Sequence, residues 1–216
     1  VDKPNQTDPD YITYDISCNE DFAFHSKFYD WRKIFDFFVE SDKAKATLAT
    51  KIVPDEFLHY NPDRKVRIRF SLMPQKIADL LEPNTASIIE RIQAIDKFIE
   101  AGYDVHVNFS PVVYYKRWLK DYEGLFNLLD VYVKNKESVL AEVIFLTHNV
   151  NKHYKNISDN RMEEYLLWNP LLQEQKKSQY GGLNIRYKQY YKRQMIDKFK
   201  TLHNAVVPWN TIRYIF

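Results

Sequence analysis

The chain has 216 residues, of which 45% are hydrophobic and 28% charged, a composition typical of a folded domain with a sizeable core and not of a disordered chain. No apolar run approaches the roughly 20 residues that a membrane-spanning helix needs, and the single cysteine, Cys18, excludes an internal disulfide and favours a reducing cytoplasm. Only four glycines are present, and none forms a G-x-G-x-x-G or Walker pattern, which argues against a glycine-rich phosphate loop.

Positive charge is concentrated in the second half of the chain, although the net charge is only +2. Residues 1–109 contain 14 Lys and Arg against 19 Asp and Glu, whereas residues 110–216 contain 17 against 10. From Lys176 to Arg213 the only acid is Asp197. This distribution predicts either a partner that carries phosphates, such as a nucleic acid, or a solvated helix face, and charge alone leaves both open.

In chain order, the predicted elements alternate between strand and helix. Residues 1–10 are polar and contain two prolines, which predicts a loop or linker. We predict strands at 11–17, 46–51, 66–72, 103–109, 139–147 and 211–216. We predict helices at 31–39, 87–101, 115–133, 161–168 and 190–206, the second with a capping box of Ser87 and Glu90, and a turn into a strand or hairpin at 180–187.

This alternation favours right-handed βαβ units and a mainly parallel α/β sheet. Because eight such units do not fit in 216 residues, an incomplete barrel accounts for the pattern better than a closed one. Chemistry in these folds gathers at the C-terminal ends of the strands. The residues predicted at those ends are Cys18, Lys51, Ser71, Ser110, Thr147 and His148.

Cys18 directly follows the first predicted strand. A buried structural cysteine is the common alternative, whereas a place at the end of a strand favours a functional thiol. The neighbouring carboxylates of Asp15, Glu20 and Asp21 disfavour a thiolate. We therefore interpret Cys18 as a neutral S–H group that is better suited to donate a hydrogen atom than to act as a nucleophile.

Further candidate site residues are cations and histidines. Lys51 can bind a carboxylate or a phosphate. Arg67 and Arg69 share one face of a strand, which either points into a barrel and needs anionic partners or forms a solvent-facing stripe. His148 and His153 flank a loop after a strand. They either contact a substrate there or are solvated or hydrogen-bonded within the protein. The histidine and cysteine spacings match no metal motif, so we predict no metal site built from this chain alone.

The segment that starts at Tyr180-Gly-Gly is basic and aromatic. Tyrosine rings beside Arg186, Tyr187 and Lys188 would let a ring stack on an exposed base while the cations hold phosphate. Aromatic core packing is the alternative.

Taken together, these segments resemble the spore photoproduct lyase family from about Tyr11 to Phe216. No single motif is specific, but the motifs occur in the family's order. They are Asp15-Ile-Ser-Cys-Asn-Glu-Asp21, Leu48-Ala-Thr-Lys51, Arg67-Ile-Arg-Phe-Ser-Leu72, Leu81-Glu-Pro-Asn-Thr-Ala-Ser87 with Arg91, Ala101-Gly-Tyr103, Ser110-Pro111, Trp118 with Tyr122 and Leu125, and Tyr180-Gly-Gly-Leu-Asn-Ile-Arg-Tyr187.

The resemblance implies the C-terminal part of an incomplete (β/α)6 TIM-type barrel that binds S-adenosylmethionine (SAM) and a 4Fe–4S cluster. Residues 1–10 would be a linker, 11–175 the partial radical-SAM barrel, and 176–216 a basic hairpin, helix and strand that contact the substrate. The three-cysteine motif that ligates the cluster is expected upstream of Val1, so this chain alone would be inactive. We expect a cytoplasmic monomer with no membrane contact.

The resemblance also implies the reaction and its residues. In the family, reductive cleavage of SAM yields a 5′-deoxyadenosyl radical that abstracts hydrogen from a thymine photoproduct in DNA, and the dimer then fragments to two thymines. A strand-end cysteine supplies the quenching hydrogen atom. By position, Cys18 would have that role. Lys51 and Ser71 would contact SAM. The lesion would be contacted by Gln179, Tyr180, Arg186 and Tyr187.

Three positions depart from the family pattern. Gln179 replaces an arginine, Asn84 replaces a glycine, and Met73 replaces an asparagine near the expected SAM carboxylate. Because of these departures, two alternatives to a DNA-repair lyase stay open. One is a radical-SAM relative with another substrate, and the other is a non-catalytic α/β module that binds nucleic acid.

The interpretation of Cys18 gives a first prediction. Because three carboxylates surround it in sequence, its thiol stays protonated at neutral pH. Alkylation by iodoacetamide at pH 7 should be no faster than that of a free cysteine and should rise steadily towards pH 9. A rate that has already reached its plateau at pH 6 would show a thiolate and contradict the interpretation.

Overall fold

The structure is a computed structural model that describes residues 8–17, 20–158, 167–177 and 181–216. The described residues contain nine strands: β1 (Ile12–Asp15), β2 (Ala44–Thr50), β3 (Val66–Leu72), β4 (Asp104–Val112), β5 (Leu140–Phe145), β6 (Thr147–Asn149), β7 (Gln173–Lys177), β8 (Leu183–Tyr187) and β9 (Ile212–Ile215). Six of them form one sheet in the order β1-β2-β3-β4-β5-β9, and every neighbouring pair is parallel. The predicted parallel sheet and incomplete barrel are confirmed.

The helices pack against the two sheets of the structure. They are α1 (Trp31–Val39), α2 (Gln75–Leu81), α3 (Ile88–Glu100), α4 (Trp118–Tyr132), α5 (Val150–Ser158) and α6 (Gln189–Val206), with short 3-10 turns at Ser26–Phe28, Asp55–His59 and Lys136–Ser138. Helices α1 and α3 pack on the main sheet, and α5 packs on β6 and β8. The predicted capping box is confirmed, because Ser87 accepts from the Glu90 N–H and the Glu90 carboxylate accepts from the Ser87 N–H. None of the helices described is long and apolar enough to cross a membrane. The helix predicted at 161–168 falls mostly on residues outside the described ones.

Several predicted elements differ from the observed ones. The strand predicted at 139–147 is two strands, because β5 ends at Phe145 and Thr147–Asn149 pairs with β8 in a different sheet. Helix α2 was not predicted, since its seven residues are too few to show a helical period.

Strands β6, β8 and β7 form a second, antiparallel sheet in that order. The strand predicted after Tyr180 is β8, and it pairs with β7. Strand β9, from the predicted segment 176–216, joins the main sheet beside β5, so this segment contributes to both sheets. The division of the chain at residue 175 remains a prediction.

Aromatic rings fill the layer between the main sheet and its helices. Phe70 of β3 lies 5.4 Å from Phe98 of α3, and Phe109 of β4 lies 5.3 Å from Phe126 of α4. Phe199 of α6 completes the cluster, 5.4 Å from Phe126. All five rings are fully buried, and edge-to-face packing of this kind accounts for part of the high aromatic content.

The inner face of the sheet carries buried charges. Arg67 and Arg69 are 4% and 3% exposed. The Arg67 Nε atom donates to Asp104 at 2.7 Å, and Arg69 donates to Asp15 at 2.8 Å and to Glu142 at 3.4 Å. Of the two alternatives for these arginines, the structure confirms the barrel interior with anionic partners.

These ion pairs make stability depend on pH. Burial raises the pKa of Glu142, but hydrogen bonding from His106 and the charges of Arg69 and Arg213 outweigh it and leave that pKa below its usual value. Burial also raises the pKa of Asp104. The hydrogen bond and charge of His106 and the charge of Arg67 outweigh this effect and hold that pKa well below its usual value. An acid with a lowered folded-state pKa stabilises the fold above its unfolded-state pKa, and this contribution is lost as the pH falls.

Replacing Arg69 with Met should therefore lower the free energy of unfolding by about 3 kcal/mol, because removing one partner of a buried pair leaves an uncompensated charge. Arg213, 3.4 Å from Glu142, limits the loss. The matched control is Arg64→Met, an exposed arginine 3.5 Å from Asp104, which should cost less than about 1 kcal/mol. Urea unfolding measures both, and the difference should shrink as the carboxylates protonate. Equal losses in the two variants would contradict the ranking.

Candidate active site

A cleft of about 290 Å³ lies at the carboxyl ends of the parallel strands. Its polar wall combines Lys51 after β2, Ser110 of β4 and His148 of β6. The full lining is Lys51, Leu81, Glu82, Ser110, Pro111, Ile144, Phe145, Leu146, Thr147, His148, Lys152 and Leu167. A cleft at this edge of the sheet is the usual ligand site of such folds.

Lys51 is fixed at the rim of this cleft. Its backbone N–H donates to the Asp21 carboxylate at 2.8 Å, and its carbonyl accepts from the Ala86 N–H at 3.1 Å. Its ammonium group lies 2.9 Å from the Glu82 carboxylate, yet the side chain keeps 42% of its exposure. Lys51 therefore has a fixed base and donors left for a ligand.

A fully buried arginine neutralises Glu82. The Arg91 guanidinium donates to Glu82 at 3.0 Å, to the Ser71 carbonyl at 2.8 Å and to the Thr85 hydroxyl at 2.7 Å. One carboxylate thus serves two cations, so the cluster of Lys51, Glu82 and Arg91 carries a net positive charge. Because only Lys51 reaches solvent, it presents that charge to the cleft and suits a carboxylate or phosphate of a ligand.

The turn between α2 and α3 explains one departure from the family pattern. Asn84 has a φ of 64°, in the left-handed region that glycine adopts freely and asparagine adopts more readily than most residues. Asparagine in place of glycine therefore keeps the backbone shape that carries Glu82. Met73, in contrast, is fully buried in the hydrophobic core. The polar asparagine of the family pattern is therefore replaced by a side chain that makes only apolar contacts.

Ser71, a predicted SAM contact, is 4% exposed within β3. It is the register partner of Asn108 on β4, so the two side chains share one face of the sheet. The Asn108 Oδ1 atom and the Thr47 hydroxyl are buried without a hydrogen-bond partner among the described residues. Sequence reasoning missed both, although a polar residue at an inward position of an otherwise apolar strand was a usable signal.

Cys18 lies outside the described residues, and its proposed role remains a prediction. Its described neighbours are held at the strand ends: the Ser17 N–H donates to Asp15 at 3.0 Å, and the Asp21 carboxylate accepts from the Thr50 hydroxyl at 3.1 Å. Asp21 was identified only as a charge near the thiol, but in the structure it orders the end of β2 as well.

His148 is 9% exposed and lines the cleft, and neither of its ring nitrogens has a hydrogen-bond partner among the described residues. Burial, with smaller effects from His153 and Lys152, lowers the pKa of His148 to about 4. The imidazole is therefore neutral at pH 7 and offers one donor and one acceptor. Among the described residues, therefore, no partner satisfies His148, and a substrate contact at this position stays a prediction.

Two of the predicted lesion contacts, Gln179 and Tyr180, lie outside the described residues. Arg186 is the register partner of Thr147, which lines the cleft. Tyr187 is 3% exposed, its hydroxyl accepts from the Tyr114 N–H at 2.8 Å, and burial raises its pKa to about 12. Tyr187 thus fastens the second sheet to the loop after β4, and its contact with substrate stays a prediction.

No group of three or more His, Cys, Asp or Glu that could hold a metal ion occurs within the described ranges. The residues described therefore do not fit a 4Fe–4S cluster, which needs several thiolates. They do fit an anionic, hydrogen-bonding ligand in the cleft, on the strength of Lys51 and the orphaned nitrogens of His148.

The orphaned nitrogens of His148 predict a stabilising substitution. His148→Phe keeps a ring and removes two unsatisfied buried polar atoms, so the free energy of unfolding should rise by about 1 kcal/mol. The control is His203→Phe: His203 is also buried, but its Nε2 atom lies 3.0 Å from Asn210 Oδ1, so this change should cost about 1 kcal/mol or more. Thermal and urea unfolding measure both. A loss in His148→Phe as large as in His203→Phe would show that His148 has a partner.

Comparison with known proteins gives a consistent result. The family model described as spore photoproduct lyase matches residues 3–216. The chain is 25% identical over 158 residues to the spore photoproduct lyase of Geobacillus sp. (strain Y412MC61), a match that covers 71% of this chain and 46% of that protein. It is 25% identical over 191 residues to the spore photoproduct lyase of Clostridium acetobutylicum, covering 85% and 54%. The chain thus spans about half the length of these relatives.

Solved structures agree on the fold. A spore photoproduct lyase variant superposes with a TM-score of 0.85 at 20% identity, covering 98% of this chain and 63% of that one. Another variant, with bound AdoMet and dinucleoside spore photoproduct, gives a TM-score of 0.84 over the same shares. Because the family model matches nearly every residue, this chain belongs to the spore photoproduct lyase family.

Proposed function

We propose that this chain is the barrel and substrate-binding part of a radical-SAM lyase that repairs the spore photoproduct, a damaged thymine pair in DNA. The observation that carries the proposal is the cleft itself: in a member of this family, a net positive cluster presents Lys51 at the carboxyl edge of the sheet, opposite a neutral His148. A structurally similar protein binds AdoMet and the dinucleoside spore photoproduct, which supports this class of ligand.

SAM is the proposed cofactor, and when bound to an iron–sulfur cluster it supplies the one-electron chemistry that removes hydrogen from the photoproduct. Lys51 would bind its carboxylate, with Ser71 as a second contact. The cluster's ligands are proposed to lie outside these 216 residues, since Cys18 is the only cysteine in them. On that basis the chain alone is inactive. We also propose that it acts as a cytoplasmic monomer.

Cys18 is the proposed hydrogen-atom donor. Its S–H bond would break as a C–H bond forms on the thymine, which requires a protonated thiol and not a thiolate. Asp15 and Asp21, on either side of it in sequence, keep negative charge near this point. Gln179, Tyr180 and Arg186 are the proposed contacts with the lesion, and Tyr187 is assigned to holding their sheet in place.

One observation favours a second candidate function. The cations of the C-terminal segment also suit a domain that binds nucleic acid without catalysis. Gln179 in place of an arginine allows a third, a radical-SAM relative with another substrate.

The deciding experiment uses the full-length protein, reconstituted anaerobically with iron and sulfide. With a one-electron reductant such as dithionite, SAM and a spore photoproduct dinucleotide should yield 5′-deoxyadenosine and two restored thymines, and Cys18→Ala should divert the product without abolishing SAM cleavage. SAM cleavage without repair would reject the substrate and keep the chemistry. No SAM binding at all would leave the non-catalytic module.

Lys51→Met tests the cofactor contact directly. The affinity for SAM, measured by equilibrium dialysis, should fall at least about tenfold, because a charge-assisted hydrogen bond contributes about 1.5–3 kcal/mol. The fold should survive, since Glu82 keeps Arg91 as its partner. The matched control, Lys97→Met on the exposed face of α3, should leave the affinity unchanged. Equal affinities for the two variants would remove Lys51 from the SAM site.

A further inference from the structure

A second pocket, of about 350 Å³, lies between β8, the start of α6 and the end of β9. We call it the basic pocket, after the three cationic side chains that line it: Arg186, Lys192 and Arg193. The remaining lining residues are Tyr187, Gln189, Ile196 and Ile215. No carboxylate side chain is among these lining residues, so the pocket concentrates one sign of charge.

None of the three cations forms an ion pair within 4.0 Å in the described part of the chain. The nearest acids do not form ion pairs with them: Glu174 of β7 is the register partner of Arg186, and Asp197 lies one turn beyond Arg193, but neither comes within that distance. This differs from the barrel interior, where every arginine described has a carboxylate partner.

Lys192 is the most informative of the three. It is only partly exposed, and burial together with the charge of Arg186 lowers its pKa. Its ammonium group lies 4.7 Å from the centre of the Phe216 ring, a cation–π contact that fixes it at the pocket wall. The first turn of α6 adds the positive end of a helix dipole with no acidic residue to offset it. Cations are thus held close together without the anion that would balance them.

The basic pocket adjoins the cleft. Arg186 in the pocket and Thr147 in the cleft are register partners across β6 and β8. Neighbouring strands lie about 4.8 Å apart, so groups bound in the two sites would be neighbours. A nucleic-acid strand alternates bases and phosphates on this length scale.

We propose that the basic pocket binds a phosphate group, namely a backbone phosphodiester of the DNA strand whose damaged thymines occupy the cleft. The phosphate site stands on the pocket's own charges, whereas its assignment to DNA rests on the proposed function. Arg186 suits bidentate contact with phosphate oxygens, and Lys192 supplies a point charge. The pocket would hold the strand in register and would not read its sequence.

The test is binding of an undamaged single-stranded oligonucleotide, followed by fluorescence anisotropy without SAM or cluster. Lys192→Gln and Arg193→Gln should each weaken binding, together by about tenfold or more. They should also lower the slope of log affinity against log salt by about 0.7 for each phosphate that the variant no longer neutralises. The matched control is Lys200→Gln on the same helix, an exposed lysine outside the pocket, which makes the same change in net charge as either single variant. Circular dichroism verifies that each variant is folded.

Two further arms separate the sources of phosphate. Inorganic phosphate should compete with the oligonucleotide in the wild type but not in the double variant, and a dinucleotide should compete better than the same dinucleoside without its bridging phosphate. Pocket variants that bind like Lys200→Gln would overturn the proposal. Binding of inorganic phosphate, measured directly by calorimetry, with no binding of the oligonucleotide would reject the DNA assignment. Because no arm requires a photoproduct, failure of the repair activity would leave this result standing.

Discussion

The buried guanidinium of Arg91 is the interaction on which the candidate site depends. It links the end of β3, through the Ser71 carbonyl, to the turn that carries Glu82, and Glu82 in turn holds the ammonium of Lys51. Such branching contacts need the planar fork of an arginine, which the single ammonium of a lysine does not reproduce. Neutralising Glu82 from the protein side leaves the charge of Lys51 directed at solvent. The cleft is therefore attractive to anions because of a residue that no ligand can touch.

The polar inner face of the sheet likewise consists of buried charged side chains that pair with charges of opposite sign. A closed barrel fills its interior with layers of large apolar side chains, whereas here Arg67 and Arg69 are held by carboxylates from other strands. Ion pairs of this kind are weak contributors to stability but penalise any other arrangement of the strands. Closer to the carboxyl edge, beyond Arg69, the Asn108 Oδ1 atom is buried without a partner among the described residues. The ion pairs of the interior thus give way, towards the carboxyl edge, to a polar side chain that a ligand could contact.

Sequence reasoning succeeded where the signal was local. Helix α1 and strand β3 have the predicted ends, because their apolar periods are uninterrupted, and α3 begins at its capping box. It failed where distant parts of the chain decide: Arg67 and Asp104 pair across 37 positions, and nothing near His148 in sequence indicates its burial. The family pattern was most informative in the segment from Leu81 to Arg91. It identified these residues as important, but only the folded structure shows which contacts they make. The basic C-terminal segment was identified by charge, but the convergence of Arg186 and Lys192 on one pocket required the folded strands.

The ring nitrogens of His148, which have no partner in the part of the chain that the structure describes, have a consequence for the abundance of the protein in the cell. Each orphaned buried atom lowers the stability of the ligand-free fold, and a ligand that satisfies it returns that free energy on binding. A ligand at a hundred times its dissociation constant adds about 2.7 kcal/mol to the unfolding free energy, which reduces the open population that proteases attack about a hundredfold. The abundance of this protein should therefore follow the supply of its small-molecule ligand, so that it accumulates when it has something to bind and is cleared when it does not.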